Sequence, residues 1–187
     1  MFLPLRAAPA GIFVTSWGNL MNKLLIALTL SAIGFSVQAS AAESSSLYVI
    51  KSANINASAA TTWNKLARFG DLGAWHPAAK KTEIVSGAEG KKGARRVITL
   101  PDGGTVSEEL TAYDENNKSM SYIITDGVLP VTAYASTLHV YPNGADKSVV
   151  VWEGRFQAKS AFDDNTASDT VSGVYDSGLS NLKKILE

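Results

Sequence analysis

The sequence predicts an α+β architecture: a curved antiparallel sheet of about seven strands that holds one long C-terminal helix, with two short helices after the first strand. Three observations predict it. Six runs of strand-like composition follow one another between residues 80 and 158, separated by turn residues. The last stretch, 165–187, carries a single apolar stripe at helical spacing. The chain has 187 residues and is 45% hydrophobic, which suits one core better than two.

The first strand is read from "SSSLYVIKSANINA" (44–57), where Leu47 and Val49 alternate with Tyr48 and Ile50 and the run extends to Ile55. The period then changes. Ala59, Trp63, Leu66 and Ala67 recur at helical spacing, Ser58 is an N-cap and Gly70 a stop. A second, very short helix is expected from Leu72 to His76, because Pro77 disfavours helix at the residue before it.

Six strands follow: "KKTEIVSG", "ARRVITLP", "GTVSEELTAYD", "KSMSYIITDG", "VTAYASTLHVYP" and "KSVVVWEGRFQA". The turn signals are Gly87–Gly90, Pro101–Gly104, Asp114–Asn117 and Pro142–Gly144, and short strands at this spacing form a meander. In the last element Val171, Val174, Tyr175, Gly178, Leu182 and Ile185 make one apolar stripe of about five turns. Asp169 near its start and Lys183 and Lys184 near its end suit the helix dipole. Gly173 and Gly178 each cost about 1 kcal/mol against alanine in a helix. Gly178 lies on the stripe, so the sheet or a ligand must approach closely there. A helix of this kind buries its stripe on the sheet, and an apolar cleft can remain where the sheet curls around it.

The N-terminus reads as a targeting segment. In "MNKLLIALTLSAIGFSVQASA" (21–41), Lys23 precedes an apolar run from Leu24 to Phe35, followed by Ala39-Ser40-Ala41. The run is too short to span a bilayer and suits a signal peptide cleaved after Ala41. Residues 1–20 read as an unstructured upstream extension before a second methionine, or as part of a longer leader from Met1. The expected mature domain is then 42–187, periplasmic or secreted, with no stable membrane span. Cleavage removes Arg6 and Lys23 and no acid, so 17 basic against 17 acidic side chains becomes 15 against 17. This mildly acidic balance argues against a nucleic-acid partner. With no cysteine, thiol catalysis and cysteine-ligated metals are excluded. His76 and His139 are far apart, and zinc needs three or four convergent ligands, so no metal is expected. No phosphate-binding loop, dinucleotide fingerprint or serine-hydrolase elbow is present, and no cofactor is expected.

Several words of the sequence, in order, carry a resemblance: Trp63 and Phe69 followed by "DLGAWHP" (71–77), then "DGGTVSEEL" (102–110), "SYII" (121–124), "LPVTAYASTL" (129–138), "VVVW" (149–152) and "GVYDSGLSNLK" (173–183). They resemble the SRPBCC superfamily, with its START-like or Bet v 1-like helix-grip fold, and within it the bacterial polyketide cyclase/dehydrase-like branch. Met120 departs from the aromatic that relatives often carry. The resemblance implies a hydrophobic small molecule or lipid as ligand, and in a few members cyclisation or dehydration of aromatic polyketides. It places "WHP" at the mouth of a cavity. There Trp75 and His76 either contact the ligand or plug the core end and cap a backbone carbonyl.

Alternation puts Glu108 on the strand face of Val106 and Leu110, where it either faces the cavity or pairs with Arg96 or Arg95 on the neighbouring strand. Tyr122 and Tyr134 reach inward with Ile124 and Leu138, as core hydroxyls or as ligand contacts. Trp152 and Phe156 share a face and form core or a stacking wall. The candidate ligand-binding set is Trp75, His76, Glu108, Tyr122, Tyr134, Trp152 and Gly178, and the expected function is an exported binder of a hydrophobic small molecule. Two other functions fit. A cyclase or dehydratase without metal would use His76 or Glu108 for proton transfer, and a periplasmic accessory protein would hold a protein partner.

Overall fold

A computed structural model describes residues 46–187; the expected leader and the stretch before it lie outside the described residues. The elements are β1 (Leu47–Ile55), α1 (Ala59–Leu66), a 3-10 helix (Phe69–Ala74), β2 (Lys81–Ser86), β3 (Arg95–Thr99), β4 (Thr105–Asp114), β5 (Ser119–Gly127), β6 (Val131–Pro142), β7 (Ser148–Ala158) and α2 (Asp164–Leu186). The seven strands form one antiparallel curved sheet in the order β1-β7-β6-β5-β4-β3-β2, so a six-strand meander is completed by β1 lying beside β7. This is the helix-grip fold. No described helix is long and apolar enough to cross a membrane.

The alternation of the strands sorts their side chains onto two faces. Val106, Glu108 and Leu110 of β4, Tyr134, Ser136 and Leu138 of β6, and Val150, Trp152 and Phe156 of β7 all point to the inner face and are buried. Register shifts interrupt the β4–β5 ladder between Ser107 and Glu108 and again between Leu110 and Ala112; a third interrupts β6–β7 between Thr132 and Ala135. Such bulges bend a strand. At the last of them Ala133 has φ 49°, a left-handed conformation for a residue with a Cβ.

Helix α2 starts at its N-cap Asp163, whose carboxylate accepts a hydrogen bond from the Thr166 N–H at 2.6 Å. It packs against β1 and β7. Its buried residues are Ala167, Val171, Tyr175, Gly178, Leu179 and Leu182. The expected stripe therefore drifts at its end. Ile185 is 44% exposed, while Leu179 is buried and Leu186 packs against the core. A 3.6-residue period falls between positions 185 and 186 at that point, and packing selects the second. Tyr175 comes so close to the β7 backbone that a Cβ on Gly154 would collide with its hydroxyl.

Two further expectations shift. Helix α1 ends at Leu66, before Gly70. The second short helix runs over Phe69–Ala74, not Leu72–His76. The reason is a distant acid: the Glu89 carboxylate, from the β2–β3 turn, accepts the Phe69 and Gly70 N–H groups at 2.6 and 2.9 Å and so starts the 3-10 helix there. Gly70 is needed for close packing rather than for a stop, since a Cβ would lie 2.7 Å from Ile84.

Candidate functional site

The 3-10 helix delivers Trp75 and His76 to the middle of α2. His76 is 2% exposed. Its Nδ1 accepts the Ala78 N–H at 3.1 Å, so Nε2 carries the proton and donates to the Val174 carbonyl of α2 at 3.0 Å. Asn181 of α2 reaches back, its amide donating to the Trp75 carbonyl at 2.8 Å. Between these ties the rings pack in a cluster: Trp75 and His76 lie 5.6 and 5.7 Å from Trp152, and Trp152 stacks on Tyr175 at 4.4 Å. Gly178 makes room for this arrangement, because a Cβ there would sit 2.5 Å from the His76 ring and 2.9 Å from Trp152. The Trp-His-Pro stretch thus latches the helix to the sheet, with His76 capping a backbone carbonyl.

Burial pushes the His76 pKa below its ordinary value, and the nearby Arg96 charge adds to this. The consequence for stability follows from linkage. Below about pH 6.5 the unfolded chain takes up a proton at this histidine and the folded chain resists it, so stability falls as pH falls. The melting temperature of the wild type is expected to drop between pH 7.5 and 5, and the His76→Phe variant to lack that part of the drop. Parallel pH profiles for the two proteins would contradict this assignment.

Glu108 and Arg96 face each other across β3 and β4 on the buried side of the sheet. Nε and Nη2 of Arg96 both contact Oε2 of Glu108 at 2.6 Å, and Nη1 donates to the Phe69 carbonyl at 2.5 Å. The guanidinium carbon lies 4.0 Å from the Phe69 ring centre and 5.2 Å from that of Tyr122. The two side chains are only 4% and 7% exposed. Burial pushes the Glu108 carboxyl up, against the pull of Arg96. One residue along, Glu109 pairs with Arg95 on the outer face.

A chain of hydroxyls links β6 to α2. Ser136 donates to the Glu153 carbonyl at 2.7 Å, so the Tyr175 hydroxyl must donate to Ser136 at 3.1 Å. The Tyr134 hydroxyl must then donate to Tyr175 at 2.6 Å. The Trp152 indole N–H is shared between Tyr122 and Ser136, at 2.8 and 3.0 Å. Burial pushes Tyr175 up to about 12 and raises Tyr122 and Tyr134 well above the ordinary value for a phenol, so all three are neutral phenols.

These groups surround what remains of the concave space. Large aromatic side chains, among them Trp63, Phe69 and Phe156, fill most of it. A hollow persists between the Leu72–Ala79 segment, α2 and strands β3 to β5. Leu72, Ile98, Val106, Ile124, Leu129 and Val174 make its apolar wall, and Glu108, Arg96, Tyr122, Tyr134 and His76 its polar end. It leaves about 60 Å³ for the centres of water-sized molecules, enough for several waters or one small ring but far less than drug-sized ligands occupy.

Of the candidate residues, His76, Glu108, Tyr122, Tyr134 and Trp152 therefore line one hollow. Trp75 and Gly178 do not; they pack behind it, on Trp152 and His76. His139 lies on the outer face, stacked on Tyr141 at 3.8 Å. Sequence reasoning named Arg96 only as a partner for Glu108 and missed Ser136 and Tyr175, which tie the Tyr134 hydroxyl of the polar end to the Glu153 carbonyl. The inward parity of Ser136 between Tyr134 and Leu138 was the available signal.

Comparison with known proteins adds a family. The family model described as polyketide cyclase / dehydrase and lipid transport matches residues 48–187. No curated protein matches. Among solved structures, the XoxI protein of Bacillus cereus is 27% identical, with a TM-score of 0.68 over 74% of this chain and 94% of its own. A Nitrosospira multiformis protein is 26% identical, with a TM-score of 0.66 over 75% and 97%. Norcoclaurine synthase of Thalictrum flavum, at 20% identity and a TM-score of 0.59 over 76% and 95%, shares the fold.

Proposed function

This chain belongs to the polyketide cyclase / dehydrase and lipid transport family, and from that premise we propose that it is an exported binding protein whose hollow takes one small apolar molecule. The observation that carries the reading is the hollow itself: an apolar wall with a few convergent polar groups at one end, between the gripped helix and the sheet. Buried apolar area supplies the affinity, at about 25 cal/mol per Å² before the costs of association. Residues 21–41, with their signal-like pattern, support export of a mature chain beginning at Ala42.

Binding is favoured over proton-transfer catalysis by the state of the candidate base. Both ring nitrogens of His76 are engaged, one by the Ala78 N–H and one on the Val174 carbonyl. Glu108 is held by a guanidinium, which cannot relay protons. The size of the hollow favours a compact molecule over a long acyl chain.

Native mass spectrometry of the protein purified from its own source tests this. The expected spectrum has the mass of a chain starting at Ala42 plus a small adduct that denaturation releases. A bare chain that also fails to take up any small apolar compound contradicts the binding reading, and a chain retaining residues before Ala42 contradicts export.

A further inference from the structure

The polar end of the hollow is specific about hydrogen-bond sense. Both contacts from Arg96 fall on Oε2 of Glu108. Among the described residues, no hydrogen bond reaches Oε1, although the residue lines the hollow and is buried. A carboxylate oxygen in that position offers its lone pairs to whatever occupies the hollow, water or ligand. The Tyr134 hydroxyl spends its proton on Tyr175, so it too presents lone pairs. The His76 N–H is spent on α2. A molecule that pairs with Oε1 of Glu108 therefore brings a donor, and the remaining N–H groups of Arg96 leave room at the same end for it also to accept.

Charge narrows the donor further. Glu108 and Arg96 already cancel, so a buried ammonium would add an uncompensated charge to a low-dielectric space, and a carboxylate would face Oε1 with a like charge. The carboxyl of Glu108 stays ionised in this arrangement, because protonating it would leave the guanidinium, a permanent cation, buried without a partner. Resting on the reading of the hollow as a ligand site, we propose that the ligand carries a neutral hydroxyl, phenolic or alcoholic, which donates to Oε1 of Glu108, and that carboxylate-bearing molecules are rejected. The space available fits a single ring or a body of similar size.

A matched series on one skeleton tests it by calorimetry with the wild-type protein: 4-ethylphenol, its methyl ether, ethylbenzene and 4-ethylbenzoate. The phenol is expected to bind at least tenfold more tightly than the ether and the hydrocarbon, because a site built to pair with a hydroxyl rejects an analogue that leaves its buried acceptor unpaired. The benzoate is expected not to bind. Equal affinity for phenol, ether and hydrocarbon, or binding of the benzoate, overturns the hydroxyl assignment while leaving a ligand site in the hollow. Failure of all four overturns both. Glu108→Gln gives a second readout. Arg96 claims the introduced carbonyl and turns the amide N–H₂ toward the hollow, so the advantage of phenol over ether is expected to shrink at least tenfold. An unchanged advantage in the folded variant contradicts the role of Glu108; if the variant does not fold, the wild-type series decides alone.

Discussion

Glu108→Ala is expected to destabilise the protein by about 3–5 kcal/mol, whereas Glu109→Ala, one position along the same strand, is expected to cost no more than about 1 kcal/mol. The two glutamates have the same cross-strand partner type. Glu108 meets Arg96 and Glu109 meets Arg95, at 2.6 and 2.8 Å. What differs is the medium. Removing Glu108 strands a guanidinium that is 4% exposed, whereas Arg95 is 59% exposed and is rehydrated when its partner goes. Removing both members of the buried pair, as in Arg96→Met with Glu108→Leu, is expected to recover much of the loss, because the penalty lies in the uncompensated charge rather than in the absence of the pair. Urea unfolding of these three variants beside the wild type checks this. Equal losses for Glu108→Ala and Glu109→Ala would mean that water reaches Arg96.

The second large effect is a contrast of sign between two glycines of α2. Gly173→Ala is expected to stabilise by about 1 kcal/mol, the usual helix preference for alanine, since a Cβ there meets nothing within 4 Å. Gly178→Ala is expected to destabilise by about 1–3 kcal/mol despite the same preference. Its new methyl would overlap the His76 ring, which is fixed at both nitrogens, and the Trp152 indole, which is stacked on Tyr175. Relief requires the ring to move and the bond from His76 to Val174 to break. Thermal melts of the two variants check the signs. A stabilised Gly178→Ala protein would mean that the latch is loose and that the helix can shift on the sheet.

Much of the fold was legible because it is periodic. Alternation placed Glu108 inward and Glu109 outward before any coordinate, and it put Trp152 and Phe156 on one face of β7, where both are buried. Gly178 was legible as a close approach because a glycine on an apolar helical stripe has few other uses. What the sequence could not show lies in contacts between distant positions. Glu89, 19 and 20 residues beyond Gly70 and Phe69, sets where the 3-10 helix begins. The partner of His76 is 98 residues away, so its capping role and a ligand-contacting role looked alike. The direction of the hydroxyl chain depends on one bond from Ser136 to a backbone carbonyl on β7, which no pattern encodes. The width of the hollow is the remainder after several aromatic rings are packed, and a remainder of that kind is set by rotamers rather than by residue types.

The central claim is that the helix-grip arrangement leaves an apolar-walled hollow beside α2 that a small molecule enters. Methyl-resolved NMR during titration with 4-ethylphenol tests it most directly. The account predicts saturable shifts at the methyl groups of Ile98, Val106, Ile124, Leu129 and Val174, all of which line the hollow, with Ile50 and Val85 on the exposed surface unmoved. Shifts confined to surface methyls, or none at any concentration, would contradict it.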